Sequence, residues 1–254
     1  MSAMTSSTAA LGGRALRETW RTPEALLPTL FIPLFFLVVN VGQAGRIFPS
    51  STPFLHGQSY AAFQLPASLL LASSFGSAAM FLVEDIEGGY FDKLRAAPVA
   101  RSSIVLGRLV SEAVKGAGIA AVIVLISLPF GIRVASGPAG FVLLVALTAT
   151  WAVVYTGFLQ LIALGTRSAA ATQSGGLVFF PLLFLTPNFV PRNLLTRPME
   201  IAATCNPVTY VMEALRALIL QSSPWTQVGR GLAVLAVLFG LMVALNVRMV
   251  RRYD

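Results

Sequence analysis

Residues 60–83 read YAAFQLPASLLLASSFGSAAMFLV without one charged side chain, and residues 84–101 follow at once with EDIEGGYFDKLRAAPVAR, which carries four acidic and three basic side chains. A helix rises about 1.5 Å per residue and the hydrocarbon core of a bilayer is about 30 Å thick, so about 20 mostly apolar residues cross it. Backbone N–H and C=O groups find no water there, and a helix satisfies them within one segment. The first stretch therefore predicts a transmembrane helix, and the second the charged loop in which it ends.

Working outward from this pair, charge-free runs near the same length recur at 26–41, 116–132, 139–164, 175–189 and 231–247, which with 60–83 makes six candidate spans. The first, third and fifth are short, and Pro28, Pro33 and Pro181 lie inside them; neighbouring helices can satisfy the backbone groups a proline frees. Composition agrees, since 56% of the 254 residues are hydrophobic and only 11% are charged, against about a quarter charged in soluble domains. The expected fold class is all-α integral membrane, one domain over residues 1–254 with six transmembrane helices.

The formal charge of +8 does not point to nucleic acid, because the basic residues come in twos and threes between apolar runs rather than along one stripe. They read as topology signals. With both termini inside, Arg14, Arg17, Arg21, Lys93, Arg95, Arg101, Arg108, Lys115, Arg167, Arg248, Arg251 and Arg252 are cytoplasmic, twelve of the eighteen Lys and Arg, while Arg46, Arg133, Arg192, Arg197, Arg216 and Arg230 are outside. That two-to-one bias favours cytoplasmic termini. Residues 1–13 are rich in Ser, Thr and Ala and lack a basic n-region, so no cleaved signal peptide is expected. Cys205 is the single cysteine, which excludes a disulfide within the chain and a Cys-rich metal site.

Three segments between the spans have a character of their own. Within residues 1–24, Leu11, Ala15, Leu16 and Trp20 fall roughly on one side of a helix with Arg14, Arg17 and Glu18 elsewhere, the pattern of a helix lying on the inner membrane surface. A plain basic anchor fits the same residues. The charged loop at 84–103 leads into a helix on which Arg108, Glu112 and Lys115 share one face at spacings of four and three. A helix from Ile104 to Ile132 would measure about 44 Å and project into the cytoplasm. At 190–227, Asn206 reads as an N-cap and Pro207 as the first helical residue of a segment of about 21 Å, which should lie at or dip into the outer interface.

The chain has no GxxxxGKS/T phosphate loop, no HExxH, and one histidine, His56, in an outer loop without a nearby nucleophile. The six apolar cores hold no ionisable residue of the kind that ion-coupled carriers place at the midplane. No catalytic residue and no metal site is expected, and the energy for any transport should enter from a partner at the charged loop.

Two separated motifs resemble one family, the membrane subunits of ABC-2-type transporters and in particular the daunorubicin-resistance type of drug-export permease. The first comprises Glu84-Asp85, Gly88, Leu94-Arg95, Pro98, Arg101 and Gly107-Arg108; the second comprises Asn206-Pro207, Tyr210 and Arg216. Their order and the six-span layout extend the resemblance over nearly the whole chain. It implies that a separate ABC ATPase subunit, in two copies and with its own ATP and Mg, docks on the first loop; that this chain itself holds no cofactor; that a second permease, identical or homologous, completes the complex; and that the assembly sits in the plasma membrane and exports an amphipathic compound. By the same resemblance Glu84, Asp85, Glu87, Gly88, Leu94, Arg95, Pro98 and Arg101 are ATPase-coupling candidates, and Asn206, Pro207, Tyr210 and Arg216 are outer-gate candidates. Pro98 can equally just stop a helix, and Asn206-Pro207 just start one.

For a substrate path, Gln64 and Ser68 lie on a polar and small face of the second span that serves helix packing as readily. Phe31 and Phe35 on the first span, with Phe180 and Phe184 on the fifth, can line an apolar cavity or face lipid. Drug-like, lipid-like and lipid-linked glycan cargo all remain open, as does a non-transporting membrane scaffold.

Overall fold

The computed structural model describes residues 2–21, 23–75, 77–96 and 100–252; Pro98 lies outside them, as do the side chains of Trp20 and Arg95. The described chain is helical throughout: α1 (Ser2–Arg21), α2 (Pro23–Ala44), α3 (Tyr60–Ser73), α4 (Ser77–Glu87), α5 (Tyr90–Ala96), α6 (Arg101–Ser127), α7 (Gly137–Thr166), α8 (Ala169–Gly176), α9 (Phe179–Phe184), α10 (Arg197–Cys205), α11 (Pro207–Leu220) and α12 (Trp225–Arg251). Among the described residues, five stretches are long and apolar enough to cross a membrane: Leu27–Ala44, Tyr60–Glu87, Arg101–Phe130, Gly137–Thr166 and Trp225–Arg251.

The fifth expected span, 175–189, is not among these five stretches. Its apolar segment runs instead from Ala169 to Phe184, shorter than the others and in two pieces, α8 and α9. Pro181 has no N–H for the carbonyl of Leu177, and its ring opposes that carbonyl. The chain tightens there, with Phe180 N–H donating to Leu177 O at 3.2 Å and Val178 N–H to Gly175 O at 3.2 Å. Gly175 and Gly176 lower the cost of leaving the helix at that point.

The second span also differs from the single helix expected over 60–83. It leaves helical geometry after Ser73, and α4 resumes at Ser77. The hydroxyls of Ser73 and Ser74 donate back to the carbonyls of Leu69 and Leu70 at 2.8 and 2.7 Å, the local competition that weakens a helix.

This broken span is the centre of the fold. The apolar window of Tyr60–Glu87 is 88% buried, against 11% for Leu27–Ala44 and 17% for Trp225–Arg251. Phe63, Leu65, Leu69 and Leu70 of α3 pack with Ile119 and Ile123 of α6, Leu144 and Trp151 of α7, and Val211, Leu215 and Ile219 of α11. In lipid such burial gains no hydrophobic transfer energy, because the tails are as apolar as leucine; close packing and polar contacts hold the helices together. Glycines allow close approach at two other crossings, α1 on α6 and α11 on α12. A Cβ on Gly107 of α6 would sit 2.9 Å from Leu11 Cβ of α1, and one on Gly231 of α12 would sit 2.5 Å from Ala214 Cβ of α11.

The amino-terminal residues form the helix α1, and its Leu11 and Ala15 turn toward α6. The structure also changes the place of Arg108, Glu112 and Lys115. They do not sit on an exposed projection: α6 begins at Arg101, and all three are buried within the Arg101–Phe130 stretch. All three precede the charge-free run 116–132 and are covered by neighbouring helices.

Candidate functional site

At the end of the bundle that carries α5, three helices meet on one guanidinium. Arg108 of α6, with 5% of its side chain exposed, pairs with Asp85 of α4 and lies 4.0 Å from Glu18 of α1. Asp85 also takes Arg14 of α1 at 3.5 Å, and Arg14 stacks 4.2 Å over the ring of Tyr90 in α5. A buried cation is tolerated only with such compensation. The cluster ties the amino-terminal helix to both helices that flank the charged loop.

One to two turns deeper, Glu112 and Lys115 form a buried ion pair with 1% and 4% of their side chains exposed. Each also serves the break in the central span. Lys115 Nζ donates to Phe75 O at 2.9 Å, at the carbonyl end of α3, and Ala78 N–H at the start of α4 donates to Glu112 Oε2 at 3.2 Å. A helix end leaves carbonyls without partners and a partial negative charge, and a helix start leaves N–H groups and a partial positive charge. The cation therefore faces the α3 terminus and the anion faces the α4 start. Trp151 of α7 completes the clasp, its indole N–H donating to Ser74 Oγ at 2.9 Å.

The ATPase-coupling candidates divide in two. Asp85 points inward to Arg108 and Arg14, and Glu87 accepts the Ala169 N–H at 2.8 Å, at the start of α8. Gly88 and Gly89 turn the chain between α4 and α5, with Gly89 at φ +70. Leu94 packs on Leu82, Phe91, Ile104 and neighbours. Glu84 and Arg101 are exposed, as are Asp92 and Lys93, which the sequence did not single out.

At the opposite end, Asn206 and Pro207 act as read. Asn206 Oδ1 accepts the Val208 N–H at 3.0 Å, with Pro207 in the first turn of α11. Asn206 Nδ2 also donates to Leu182 O at 2.6 Å. Arg216, three turns along α11, donates to Pro187 O at 2.9 Å, Asn188 O at 3.4 Å and Phe63 O at 3.2 Å, and lies 3.7 Å from the Phe63 ring centroid. These two residues thus clamp both ends of the segment that leaves α9. Burial lowers the Arg216 pKa to about 9, with Glu213 opposing the shift, so the guanidinium stays charged at neutral pH. Tyr210 is half-buried, its hydroxyl donating to Thr204 O at 2.8 Å and its ring 5.1 Å from Arg192, which forks onto Glu213 at 3.1 and 2.9 Å.

The substrate-path candidates do not form one lining. Phe31 and Phe35 stack on each other, 65% and 54% exposed, on the outer face of α2. Ser68, Phe180 and Phe184 instead border one small cavity of about 20 Å³, and Gln64 is buried one turn before Ser68. Two larger clefts open nearby. One of about 320 Å³ runs between Pro28, Phe75, Met80, Gln173 and Phe179; the other, of about 920 Å³, lies between α2 and the end of α6 with Arg46 at its edge.

The spacing of Arg108, Glu112 and Lys115 allows ion pairs along α6, and Glu112 with Lys115 forms one; the spacing does not give their burial or the pairing of Arg108 with Asp85 on α4. Among the described residues no group of three His, Cys, Asp or Glu side chains could hold a metal ion.

A bundle of long apolar helices around a broken central span, with a charged loop braced by buried ion pairs at one end, defines a multi-pass membrane protein of the transport class. Residues 6–220 match the model of the family described as ABC-2 type transporter, and the chain belongs to that family. It is similar to the daunorubicin resistance ABC transporter permease protein DrrB1 of Streptomyces coeruleorubidus, with 26% identity over 245 residues that cover 94% of this chain and 83% of that protein. This is a permease subunit, and ATP hydrolysis in such transporters resides in a separate ATPase subunit.

Proposed function

We propose that this chain forms the membrane path of an ATP-driven exporter that moves an amphipathic, drug-like or lipid-like compound outward by alternating access. Two ATPase subunits, supplying ATP and Mg, dock at the α5 end, and a second permease packs against the exposed apolar face of α2. The apolar segment Ala169–Phe184, α8 with α9, makes a sixth, broken crossing, so that both termini are cytoplasmic; the complex sits in the plasma membrane, with α10 and α11 at the outer side. The resistance function named for DrrB1 supports a drug-like cargo.

The observation that carries this reading is the line of buried polar contacts from the charged loop to the broken span. Asp85 fixes Arg108, Arg108 Nη1 reaches Ala78 O at 3.4 Å, and Glu112 with Lys115 holds both sides of the break. A displacement of α5 by a docked partner is thereby delivered to the middle of the central span. The coupling surface is then the exposed set Glu84, Asp92, Lys93 and Arg101, together with Leu94, Arg95 and Pro98, while Asp85, Glu87 and Gly88 position it.

The test is reconstitution of the chain with its ATPase in vesicles, following ATP-dependent movement of an amphipathic fluorescent dye. Reversing Glu84, Asp92 and Lys93 in charge should weaken ATPase binding; Asp85→Asn should leave binding intact and uncouple hydrolysis from dye movement. Dye movement without ATP, or full coupling in both variants, would refute the reading.

A further inference from the structure

The cleft of about 920 Å³ between α2 and the end of α6 has apolar walls and a cation at its mouth. Leu37 and Val41 of α2 line it on one side, Ile126 and Phe130 on the other, and Phe130 is 76% exposed. Hydroxyls in its walls are engaged within the chain: Ser127 donates to Ile123 O at 2.7 Å, Tyr60 donates to Phe189 O at 2.9 Å, and Ser59 accepts the Ala62 N–H at 3.4 Å. Arg46 is different. It is exposed at the cleft and has no hydrogen bond or ion pair among the described residues.

Arginines on the outer side run against the positive-inside bias, and three of the six assigned there are accounted for by this chain. Arg192 pairs with Glu213, Arg197 with Glu200, and Arg216 donates to three backbone carbonyls. Arg46, Arg133 and Arg230 have no such partner among the described residues. Two of these three belong to the cleft, since Arg133 directly follows the lining residue Ile132, and its backbone N–H donates to Gln58 Oε1 at 3.4 Å, beside the lining Ser59. The sequence holds no acidic residue between Glu24 and Glu84 or between Glu112 and Glu200. The chain therefore has no nearby carboxylate to offer these cations.

The dimensions of the cleft select what can. Its α2 wall runs from Leu34 to Gly45, about 16 Å at 1.5 Å per residue, the depth of one leaflet in a hydrocarbon core of about 30 Å. Arg46 sits just past the end of that wall, at the level of a headgroup phosphate. A second copy of this chain would bring apolar surface but no free carboxylate, because Glu200 and Glu213 are already paired. An anionic phospholipid brings both an acyl chain and an anion. A zwitterionic headgroup would set its ammonium beside arginines with no carboxylate to receive it.

We propose that this cleft holds one resident anionic phospholipid, its acyl chain along α2 and its phosphate on Arg46. The lipid is a structural ligand and not cargo. It wedges against the span whose apolar window is only 11% buried, and so supplies contacts that the protein does not. The site rests on the membrane placement of the bundle and is independent of the export reading.

The experiment uses the chain in complex with its ATPase, in nanodiscs of equal phosphatidylglycerol and phosphatidylcholine with identical acyl chains. The complex is extracted into detergent without ATP, and retained lipid is read by native mass spectrometry. One phosphatidylglycerol should stay with each permease chain, about fivefold enriched over phosphatidylcholine, equivalent to about 1 kcal/mol. Arg46→Gln should abolish the enrichment. Arg230→Gln, which removes an exposed outer arginine that does not line the cleft, should leave it unchanged. Gly42→Phe should lose both lipids; Gly42 lines the cleft and a Cβ there meets nothing within 4 Å, so the ring fills the groove without disturbing the bundle.

Equal retention of the two lipids by the unaltered complex overturns the site. So does enrichment that survives both Arg46→Gln and Gly42→Phe, or that falls as far in Arg230→Gln as in Arg46→Gln, which would report surface charge alone. ATP-driven transfer of the retained lipid between leaflets would make it cargo and overturn its residence. In a Cys205→Ser background, cross-linking of Gly42→Cys between two permeases would put the second copy in the cleft and overturn the lipid. Retention is read without ATP, so a failure of dye export refutes export and leaves this site standing.

Discussion

Lys115→Met is the sharpest test of the clasp on the broken span. Methionine keeps most of the volume of the lysine stem, so packing is held roughly constant while the ammonium is removed. Lys115 contacts the Glu112 carboxylate and Phe75 O, the latter at 2.9 Å, and both partners are left in a site where Glu112 has 1% of its side chain exposed. Removing one member of a buried pair costs about 3–5 kcal/mol, because the survivor is an uncompensated charge. Glu112→Gln/Lys115→Met removes both charges, and its glutamine can still accept the Ala78 N–H. The double variant should therefore lose less than the sum of the two single losses, with a coupling energy of about 1–3 kcal/mol. The assay is reversible SDS unfolding of the bicelle-reconstituted chain, followed by tryptophan fluorescence, to which Trp151 beside Ser74 contributes a local signal. Wild-type unfolding behaviour in Lys115→Met, or strict additivity in the double variant, would refute the reasoning.

Asp85→Asn should destabilise by a similar about 3–5 kcal/mol at most, less than Lys115→Met because Glu18 still lies 4.0 Å from Arg108; the same SDS titration checks it. Gly107→Val places a branched side chain where a Cβ alone meets Leu11 Cβ at 2.9 Å, so α1 should detach and become accessible to limited proteolysis while the remaining helices stay protected. Asn206→Ala removes the α11 cap and the tie to Leu182 O, a loss of about 1–2 kcal/mol, whereas Asn206→Asp should keep the cap and lose only the tie; unfolding titrations of the two variants should rank in that order. Arg216→Lys retains a charge but cannot span Phe63 O, Pro187 O and Asn188 O at once, so it should resemble Arg216→Met in unfolding and differ clearly from wild type.

How far these features were legible in the sequence depends on whether their cause was local. The start of α11 was readable because a capping Asn followed by Pro is a signal confined to two residues, and Asn206 caps Val208 as expected. The long spans were readable because length and absence of charge suffice. The break at Ser74 was not, although its serines were in view. A serine pair weakens a helix but does not end one, and what makes the break tolerable is on another helix, in Glu112 and Lys115. The same holds for Asp85. As a charge in a loop it reads as solvated, and only the crossing of α1, α4 and α6 turns it inward onto Arg108. Pro181 was visible, yet its consequence was underestimated. Here no neighbour restores the helix, and the segment divides into α8 and α9.

The magnitudes also limit how such a permease can move. Reversing a two-state population from 1:99 to 99:1 requires a difference of about 5.5 kcal/mol between the states. Breaking even one of the buried pairs at the α5 end would cost about 3–5 kcal/mol, most of that difference. A transport cycle that separated Asp85 from Arg108 or Glu112 from Lys115 would consume its driving force on the way. In the exporter reading the ends of α1, α4, α5 and α6 therefore shift as one block, with the pairs intact. The freedom lies where the central span is already non-helical, at Ser74 and Phe75, and where α8 gives way to α9. Both of these breaks border the cleft lined by Ser74, Phe75, Gly176 and Leu177, so motion of the block changes the shape of that cleft before it changes anything else in the bundle.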